Sequence, residues 1–259
     1  MTLLFAALLA CSGGSTTTET ATETDPTTPT QTETSETCGP PGSTVAEVLT
    51  LTTRDGVALA ADRYAGAPGC PGIVLLHMIP PNNTRADWPA NFISKLTENG
   101  WSVLALDRRG AGGSAGEPED SYTGEKGAYD AEVAVQALTE IGAEGMVLIG
   151  ASNGTTTALD YAIWAPTEGL PEAVALGFMT GGSYTENQNA MANAPDIPAF
   201  FTFSDSEAAW SLDQAELGRD NWAFLEYAGG AHGTLMFDAK PKVKTDIVDF
   251  LIEVLAPES

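Results

Sequence analysis

The sequence predicts an α/β fold in which a mostly parallel sheet of about eight strands is covered by helices on both faces. After an initial hairpin, short apolar runs rich in β-branched residues alternate with longer segments of helical periodicity. Strands separated by helices pair in parallel and are buried on both faces, which explains why these runs are almost entirely apolar. The predicted sheet uses all of residues 45–259, so one globular domain without a cap is expected.

The predicted elements follow one another in the order strand, turn, helix. Eight runs fit strands, at residues 46–52, 58–64, 72–77, 101–107, 146–150, 173–178, 197–203 and 222–227. Four longer segments fit helices, at residues 86–98, 128–141, 154–165 and 243–255. In the last of these helices the apolar side chains form one wide stripe, which is typical of a helix that packs on a sheet.

The amino-terminal segment is predicted to be a targeting signal. Residues 1–10, MTLLFAALLA, are apolar but too few to span a bilayer, and they fit the apolar region of a signal peptide. The run Leu8-Leu9-Ala10-Cys11 resembles the lipobox of bacterial lipoproteins. That resemblance implies cleavage before Cys11, acylation of this cysteine and a place in the bacterial cell envelope. The alternative is an ordinary signal peptide with an incidental cysteine.

A segment of unusual composition separates Cys11 from the domain. Twelve of the 26 residues at 12–37 are Thr, and most of the others are Ser, Glu, Gly and Pro. Such a segment has no apolar face to bury, so folding could not repay its conformational entropy. We expect residues 11–44 to form a lipidated cysteine and a disordered acidic tether.

The two remaining cysteines are a candidate pair. With Cys11 assigned to lipid, Cys38 and Cys70 are left, and a secreted compartment permits a disulfide. The alternative is two buried thiols, but Cys38 stands among Gly and Pro at the edge of the tether. The disulfide is therefore the favoured prediction.

The charge balance and the rare residues exclude several classes of function. With 35 acidic against 11 basic residues the net charge is −24, which excludes nucleic acid as a natural partner and favours neutral substrates. Two histidines and three cysteines do not support a His-rich metal site. The pattern Gly110-x-Gly112-x-x-Ala115 is similar to a dinucleotide fingerprint, but acidic residues follow it instead of a helix. We expect no cofactor and no metal, and membrane contact only through the lipid anchor.

One motif indicates nucleophilic catalysis. A predicted strand runs directly into Gly150-Ala151-Ser152-Asn153-Gly154 and then into a helix, which is G-x-S-x-G in its functional context. The sharp turn exposes the hydroxyl of Ser152 at a helix N-terminus, where developing negative charge is favoured. A serine needs a base within hydrogen-bond reach, and only His77 and His232 are available. His232 lies in a glycine-rich loop after the last strand, which can expose an imidazole.

Order, spacing and motifs over nearly all of residues 45–259 resemble the α/β-hydrolase family, in its small, capless, dienelactone-hydrolase-like or esterase type. The family order of serine, acid and histidine implies Ser152 as nucleophile and His232 as general base. The His77-Met78 pair stands where the family has a His-Gly motif. This implies an oxyanion hole built from the backbone N–H of Met78 or Ile79 and that of Asn153. Residues 107–114 resemble the family's D-x-R-G-x-G-x-S turn, which braces the site.

Two carboxylates compete for the third position of the triad. The family places its acid three residues after a small residue at the strand end, and counting from Ser204 gives Glu207. Asp205, on the same loop and nearer to the strand, is the alternative. Glu207 is favoured although family members usually carry Asp.

Together these features predict an extracytoplasmic serine hydrolase of the carboxylesterase type, with an open site for a small neutral ester. Two other functions stay open. A serine peptidase or amidase would use the same residues, because leaving-group preference depends on loop shape. A catalytically inactive, envelope-anchored binding protein is the third possibility, although the complete pair of Ser152 and His232 argues against it.

Overall fold

The computed structural model describes residues 38–122 and 126–256. The predicted signal peptide, the lipidated Cys11 and the Thr-rich segment at 12–37 lie outside these residues. Within the described ranges, no helix is long and apolar enough to cross a bilayer.

The described chain builds one eight-stranded sheet. Its strands, in chain order, are β1 (Glu47–Thr52), β2 (Ala58–Tyr64), β3 (Gly72–Leu76), β4 (Ser102–Leu106), β5 (Met146–Ala151), β6 (Ala173–Met179), β7 (Ala199–Ser204) and β8 (Trp222–Tyr227). They lie in the order β1-β2-β4-β3-β5-β6-β7-β8. Strand β2 is antiparallel to both of its neighbours, and all other adjacent strands are parallel. The predicted fold class is confirmed.

Seven α-helices connect and flank the strands. They are α1 (Ala90–Thr97), α2 (Lys126–Thr139), α3 (Gly154–Glu168), α4 (Glu186–Asn189), α5 (Ala209–Ala215), α6 (Met236–Ala239) and α7 (Val243–Val254), as far as the chain is described. Five short 3-10 helices also occur in the described ranges, at Arg85–Asp87, Pro118–Ser121, Met191–Asn193, Asp205–Glu207 and Gly233–Leu235.

The core consists of two apolar clusters, one on each face of the sheet. Alternate residues of a strand point to opposite faces, so Val74 and Leu76 of β3 pack with α2 and α3. Ile73 and Leu75 of the same strand pack with α1 and α7. Burial on both faces is the reason that the central strands have continuous apolar sequences.

Several helix boundaries differ from the prediction for local reasons. Helix α1 begins at Ala90 and not at residue 86, because Pro89 holds Trp88 in an extended conformation (φ −84°, ψ 114°) that interrupts the helix. Helix α3 continues through Pro166 to Glu168, beyond the predicted end at residue 165. The short helices α4, α5 and α6 were not predicted.

Cys38 and Cys70 are joined by a disulfide with a Cα–Cα distance of 5.7 Å. Cys38 lies at the amino-terminal boundary of the described chain, and Cys70 is buried just before β3. The cross-link attaches the beginning of the domain to the central part of the sheet. It is the pairing that the sequence favoured over two free thiols.

Candidate active site

The side chains predicted to carry the chemistry meet at one edge of the sheet. Because strands β3 and β5 to β8 are parallel, their carboxyl ends lie along the same edge. Ser152 follows β5, Glu207 follows β7 and His232 follows β8, so residues distant in sequence converge there. Loops at such an edge are the usual place for catalytic groups in α/β proteins.

The turn at Ser152 is strained and closely packed. Ser152 has a φ of 49°, which is rare for a residue with a side chain and costs about 1–3 kcal/mol. A Cβ on Gly150 would lie 2.4 Å from backbone atoms of Gly154, and one on Gly154 would lie 2.2 Å from the Leu76 carbonyl oxygen. The two glycines therefore allow strand and helix to approach, and the Ser152 N–H donates to the Met179 carbonyl at 2.7 Å.

Three side chains form a continuous chain of hydrogen bonds. The Ser152 hydroxyl lies 2.6 Å from Nε2 of His232, and Nδ1 of His232 lies 2.8 Å from Oε1 of Glu207. Ser152 is 6% exposed, whereas the side chains of His232 and Glu207 are 36% and 38% exposed. The hydroxyl can donate to Nε2 while Nδ1–H donates to the carboxylate, which is the arrangement a nucleophile, a base and an orienting acid require.

Asp205, the alternative acid, binds a different part of the same loop. Its Oδ1 accepts a hydrogen bond of 2.8 Å from the N–H of Gly229. Asp205 and Glu207 belong to one 3-10 helix, but only the longer Glu207 side chain reaches the imidazole of His232. The structure therefore brings Glu207 to the imidazole and gives Asp205 a contact with the backbone. We call residues 228–233 the His232 loop.

The second histidine has a different environment. His77 is fully buried, and its Nε2 accepts from the N–H of Arg108 at 2.9 Å. The proton is therefore on Nδ1, which lies 2.7 Å from the Met78 carbonyl oxygen and donates to it. Burial, together with the charge of Arg108, lowers the pKa of His77 to about 3. A neutral imidazole with both nitrogens occupied cannot act as the base.

The loop after β3 is held by a buried arginine. Nη1 of Arg108 lies 3.4 Å from the Met78 carbonyl oxygen and 3.0 Å from Oδ1 of Asn153. Its Nη2 donates to the Ser121 carbonyl at 2.6 Å, and burial lowers the pKa of Arg108 to about 10, so it stays charged at neutral pH. The contacts of Nη1 connect Met78 and Asn153, two of the three residues predicted for the oxyanion hole.

The residues predicted for the oxyanion hole have unused backbone N–H groups. Those of Met78, Ile79 and Asn153 have no hydrogen-bond acceptor within the described ranges. The Met78 carbonyl points into the protein, toward His77 Nδ1 and Arg108 Nη1. Because the C=O and N–H of a trans peptide point in opposite directions, the N–H of Ile79 points away from these buried groups. Met78 is 7% exposed and Ile79 is 42% exposed. This orientation favours Ile79 over Met78 as the donor from this loop.

The turn at residues 107–114 braces the loop after β3, as the resemblance implied. Oδ1 of Asp107 accepts from the N–H of Arg85 at 2.7 Å, and Oδ2 accepts from the N–H of Gly113 at 2.8 Å. A Cβ on Gly112 would lie 2.1 Å from Asp107 Oδ2, so glycine is required there. Asp107 is buried and has no direct contact with the triad.

Thr180 is a residue of the site that the sequence did not reveal. It follows β6, is 2% exposed and has a φ of 53°, which is unusual for a β-branched residue. Its Oγ1 accepts a hydrogen bond of 3.0 Å from the N–H of Gly233, next to His232. The only local signal is its position between a predicted strand and two glycines, and that pattern does not identify a partner.

The described part of the chain contains no cluster of three or more His, Cys, Asp or Glu side chains arranged to hold a metal ion. The pattern at Gly110 and Gly112 belongs to the bracing turn after β4, and a Cβ on Gly110 would lie 2.4 Å from Pro118. The glycines of this pattern therefore serve the packing of the turn.

Comparisons with known proteins agree with this architecture. An esterase from Pyrococcus furiosus has a TM-score of 0.63 at 17% identity, over 82% of this chain and 91% of that one. An α/β serine hydrolase without a lid from Xanthomonas campestris has a TM-score of 0.64 at 15% identity, over 85% of this chain and all of the other. An esterase from Rhodococcus sp. has a TM-score of 0.60 at 16% identity, over 81% and 99% of the two chains. At these identities the similarity shows the fold.

No curated protein matches the sequence significantly. The family described as alpha/beta hydrolase fold matches residues 69–209, more than half of the chain, including Ser152 and Glu207. The protein therefore belongs to the α/β-hydrolase family.

Proposed function

We propose that the protein is an extracytoplasmic serine hydrolase that cleaves carboxylic esters through an acyl-enzyme. The observation that carries the proposal is the chain of hydrogen bonds from Glu207 through His232 to Ser152, at 2.8 and 2.6 Å. Family membership and the similarity to esterases of Pyrococcus furiosus and Rhodococcus sp. support it.

The proposed first step is attack by the serine. Oγ of Ser152 forms a bond to the ester carbonyl carbon while its proton passes to Nε2 of His232. The carboxylate of Glu207 stabilises the resulting imidazolium and holds Nδ1 as the donor. When the C–O bond of the ester breaks, Nε2 returns the proton to the leaving alkoxide, which departs as an alcohol.

The second step releases the acid. A water molecule gives a proton to Nε2 of His232 as its oxygen attacks the acyl carbon, and the bond to Ser152 then breaks as Oγ recovers the proton. In both steps negative charge develops on the carbonyl oxygen. The N–H groups of Asn153 and of Ile79, or alternatively Met78, would stabilise this charge.

An open site and an acidic surface support a small neutral ester as the substrate. Residues 180–198, between β6 and β7, contain only α4 and one 3-10 turn in place of a cap. The Xanthomonas campestris relative is likewise a serine hydrolase without a lid. A net charge of −24 would repel substrates that carry several negative charges.

The proposed location is the bacterial cell envelope, with Cys11 as the lipidated residue. The disulfide between Cys38 and Cys70 supports a compartment outside the reducing cytoplasm. Expression of a Cys11→Ala variant in a bacterial host should leave the protein unprocessed or release it from the membrane fraction. Mass spectrometry that finds an unmodified Cys11 within an intact mature chain would contradict lipidation.

The activity can be tested with p-nitrophenyl acyl esters of different chain length, a panel of peptide substrates and a fluorophosphonate probe. We expect ester hydrolysis and labelling by the probe, both absent in Ser152→Ala. Preferential cleavage of peptides would indicate a peptidase or amidase instead. A folded wild-type protein that neither turns over substrates nor reacts with the probe would indicate an inactive binding protein.

A further inference from the structure

The His232 loop is held at both ends by side chains from neighbouring strand ends. At its beginning, the N–H of Gly229 donates to Oδ1 of Asp205 at 2.8 Å. At its end, the N–H of Gly233 donates to Oγ1 of Thr180 at 3.0 Å. The first contact is exposed, whereas the second is buried directly beside the catalytic imidazole. The Thr180 contact is therefore the one protected from competition with water.

The Thr180 contact provides an acceptor for a backbone N–H at the start of a 3-10 helix. Gly233 begins the 3-10 helix Gly233–Leu235, and the first N–H groups of a helix lack partners within the helix. A capping side chain on the preceding residue reaches the second or third N–H of a helix but not the first, and here the preceding residue is His232. Its imidazole is directed at Ser152 and makes no cap. Thr180 supplies the acceptor for the Gly233 N–H from the end of another strand, so the backbone next to His232 is fixed without use of the imidazole.

The same strand end also holds the nucleophile. Met179, the residue before Thr180, accepts the hydrogen bond from the N–H of Ser152 at 2.7 Å. Two consecutive residues at the end of β6 thus bind the backbone on both sides of the 2.6 Å contact between Ser152 and His232. The left-handed conformation of Thr180 (φ 53°) permits this, and its own N–H is fixed by the Thr202 carbonyl at 2.7 Å.

We infer that Thr180 is a positioning residue of the triad: through the Gly233 N–H, its hydroxyl oxygen sets the distance between His232 and Ser152. The inference rests on the proposed esterase function for its kinetic consequence. The contact itself does not depend on that function, because the hydrogen bond can be measured in the resting protein. A rare backbone conformation that persists beside reacting groups is typical of such a role.

Three substitutions distinguish the effect of the Thr180 hydroxyl from the effect of its backbone conformation. Thr180→Ser keeps the acceptor, Thr180→Val keeps the shape without it, and Thr180→Gly removes both the acceptor and the strain of a positive φ. The control is Thr97→Val at the end of α1, a buried threonine whose hydroxyl donates to the Ser94 carbonyl of its own helix.

We expect Thr180→Val and Thr180→Gly to lower kcat about 10–100-fold with KM changed less than about threefold, since a misplaced base slows chemistry and not binding. The rate of fluorophosphonate inactivation should fall in parallel. Thr180→Ser and Thr97→Val should stay within about threefold of wild type. Thr180→Gly should have a low kcat without a corresponding fall in its melting temperature. If Thr180 were important only for stability, the two losses would occur together.

Amide hydrogen exchange provides a readout that does not need activity. The Gly233 amide should be protected in wild type and Thr180→Ser, and should exchange faster in Thr180→Val. Folded Thr180→Val with wild-type kcat would overturn the positioning role, as would an equal loss in Thr180→Ser. If wild type itself is inactive and does not react with the probe, the esterase proposal fails. The hydrogen-exchange rate of the Gly233 amide then tests only whether the hydrogen bond from Gly233 to Thr180 forms.

Discussion

Ser152 and Thr180 are the two non-glycine residues with a positive φ in the described chain, at 49° and 53°, and they follow the adjacent strands β5 and β6. The first presents the proposed nucleophile, and the second binds the backbone next to the proposed base. Each conformation costs about 1–3 kcal/mol that the surrounding fold must supply. One strained residue therefore carries the proposed proton donor, and the other binds the backbone beside the proposed proton acceptor.

The packing of the nucleophile turn can be tested at Gly154. In Gly154→Ala the new Cβ would lie 2.2 Å from the Leu76 carbonyl oxygen, a backbone atom that cannot move without disturbing β3. We expect the free energy of unfolding to fall by about 3 kcal/mol, as measured by urea denaturation.

The matched control is Gly169→Ala at the other end of α3. Gly169 has a φ of 66°, but a Cβ there would meet no atom within 4 Å. The backbone conformation alone should cost about 1 kcal/mol. Equal losses in the two variants would show that crowding at Gly154 is not important.

The two histidines should differ sharply in their contribution to turnover. His232→Ala should reduce kcat by several orders of magnitude, as much as Ser152→Ala, because the members of a triad act as a unit. His77→Asn should cost much less activity, because the ring nitrogens of His77 bind the Met78 carbonyl and the Arg108 N–H and neither binds the triad. It should lower stability by about 1–3 kcal/mol, since the buried Arg108 N–H loses its acceptor. Relative kcat values in the opposite order would refute the assignment of the base.

The two carboxylates of the loop after β7 should also be separable. Glu207→Gln should lower kcat about 10²–10⁴-fold, because an amide in this place favours the wrong tautomer of the imidazole. Asp205→Asn should cost less than about tenfold, since its amide oxygen can still accept from the Gly229 N–H. Steady-state kinetics on one p-nitrophenyl ester decides between them, and a larger loss in Asp205→Asn would contradict the geometry.

Local sequence patterns predicted the sheet better than the small helices. Strands β2 and β8 have the predicted limits, because short strand-forming runs bounded by turn residues are a short-range signal. Helix α5 was missed because it is short and its position depends on Trp210, which packs against Phe178 and Phe201 of the sheet. Such contacts join residues far apart in sequence and leave no periodic pattern.

The site residues also differ in whether neighbouring sequence predicts them or whether their roles depend on residues distant in sequence. Ser152 could be predicted because the strand, the glycines and the helix that define its turn are contiguous. The choice between Glu207 and Asp205 needed the position of His232, 25 residues further along the chain from Glu207. Thr180 could not be found at all, because its role is a single hydrogen bond to Gly233, 53 residues away.

The last prediction concerns the pH dependence of stability and the buried carboxyl of Asp160 on α3. Burial raises the pKa of Asp160 from 3.8 to about 6, although the Asn187 side chain donates to it and the charge of Arg108 opposes the shift. Between pH 4 and 6 the unfolded chain has lost this proton while the folded protein retains it. The free energy of unfolding therefore decreases as pH rises through this interval, by up to about 3 kcal/mol from this group.

Asp160→Asn should remove that dependence. The variant keeps an acceptor for Asn187 and has no proton to lose, so its free energy of unfolding should fall less than that of wild type between pH 4 and 6. At pH 7 it should be more stable than wild type, because a buried charge is removed. Asp249→Asn, at an exposed position on α7, makes the same charge change as a control and should leave the wild-type slope. Urea denaturation at several pH values measures all three proteins, and an unchanged slope in Asp160→Asn would show that Asp160 ionises in the folded protein as it does in the unfolded chain.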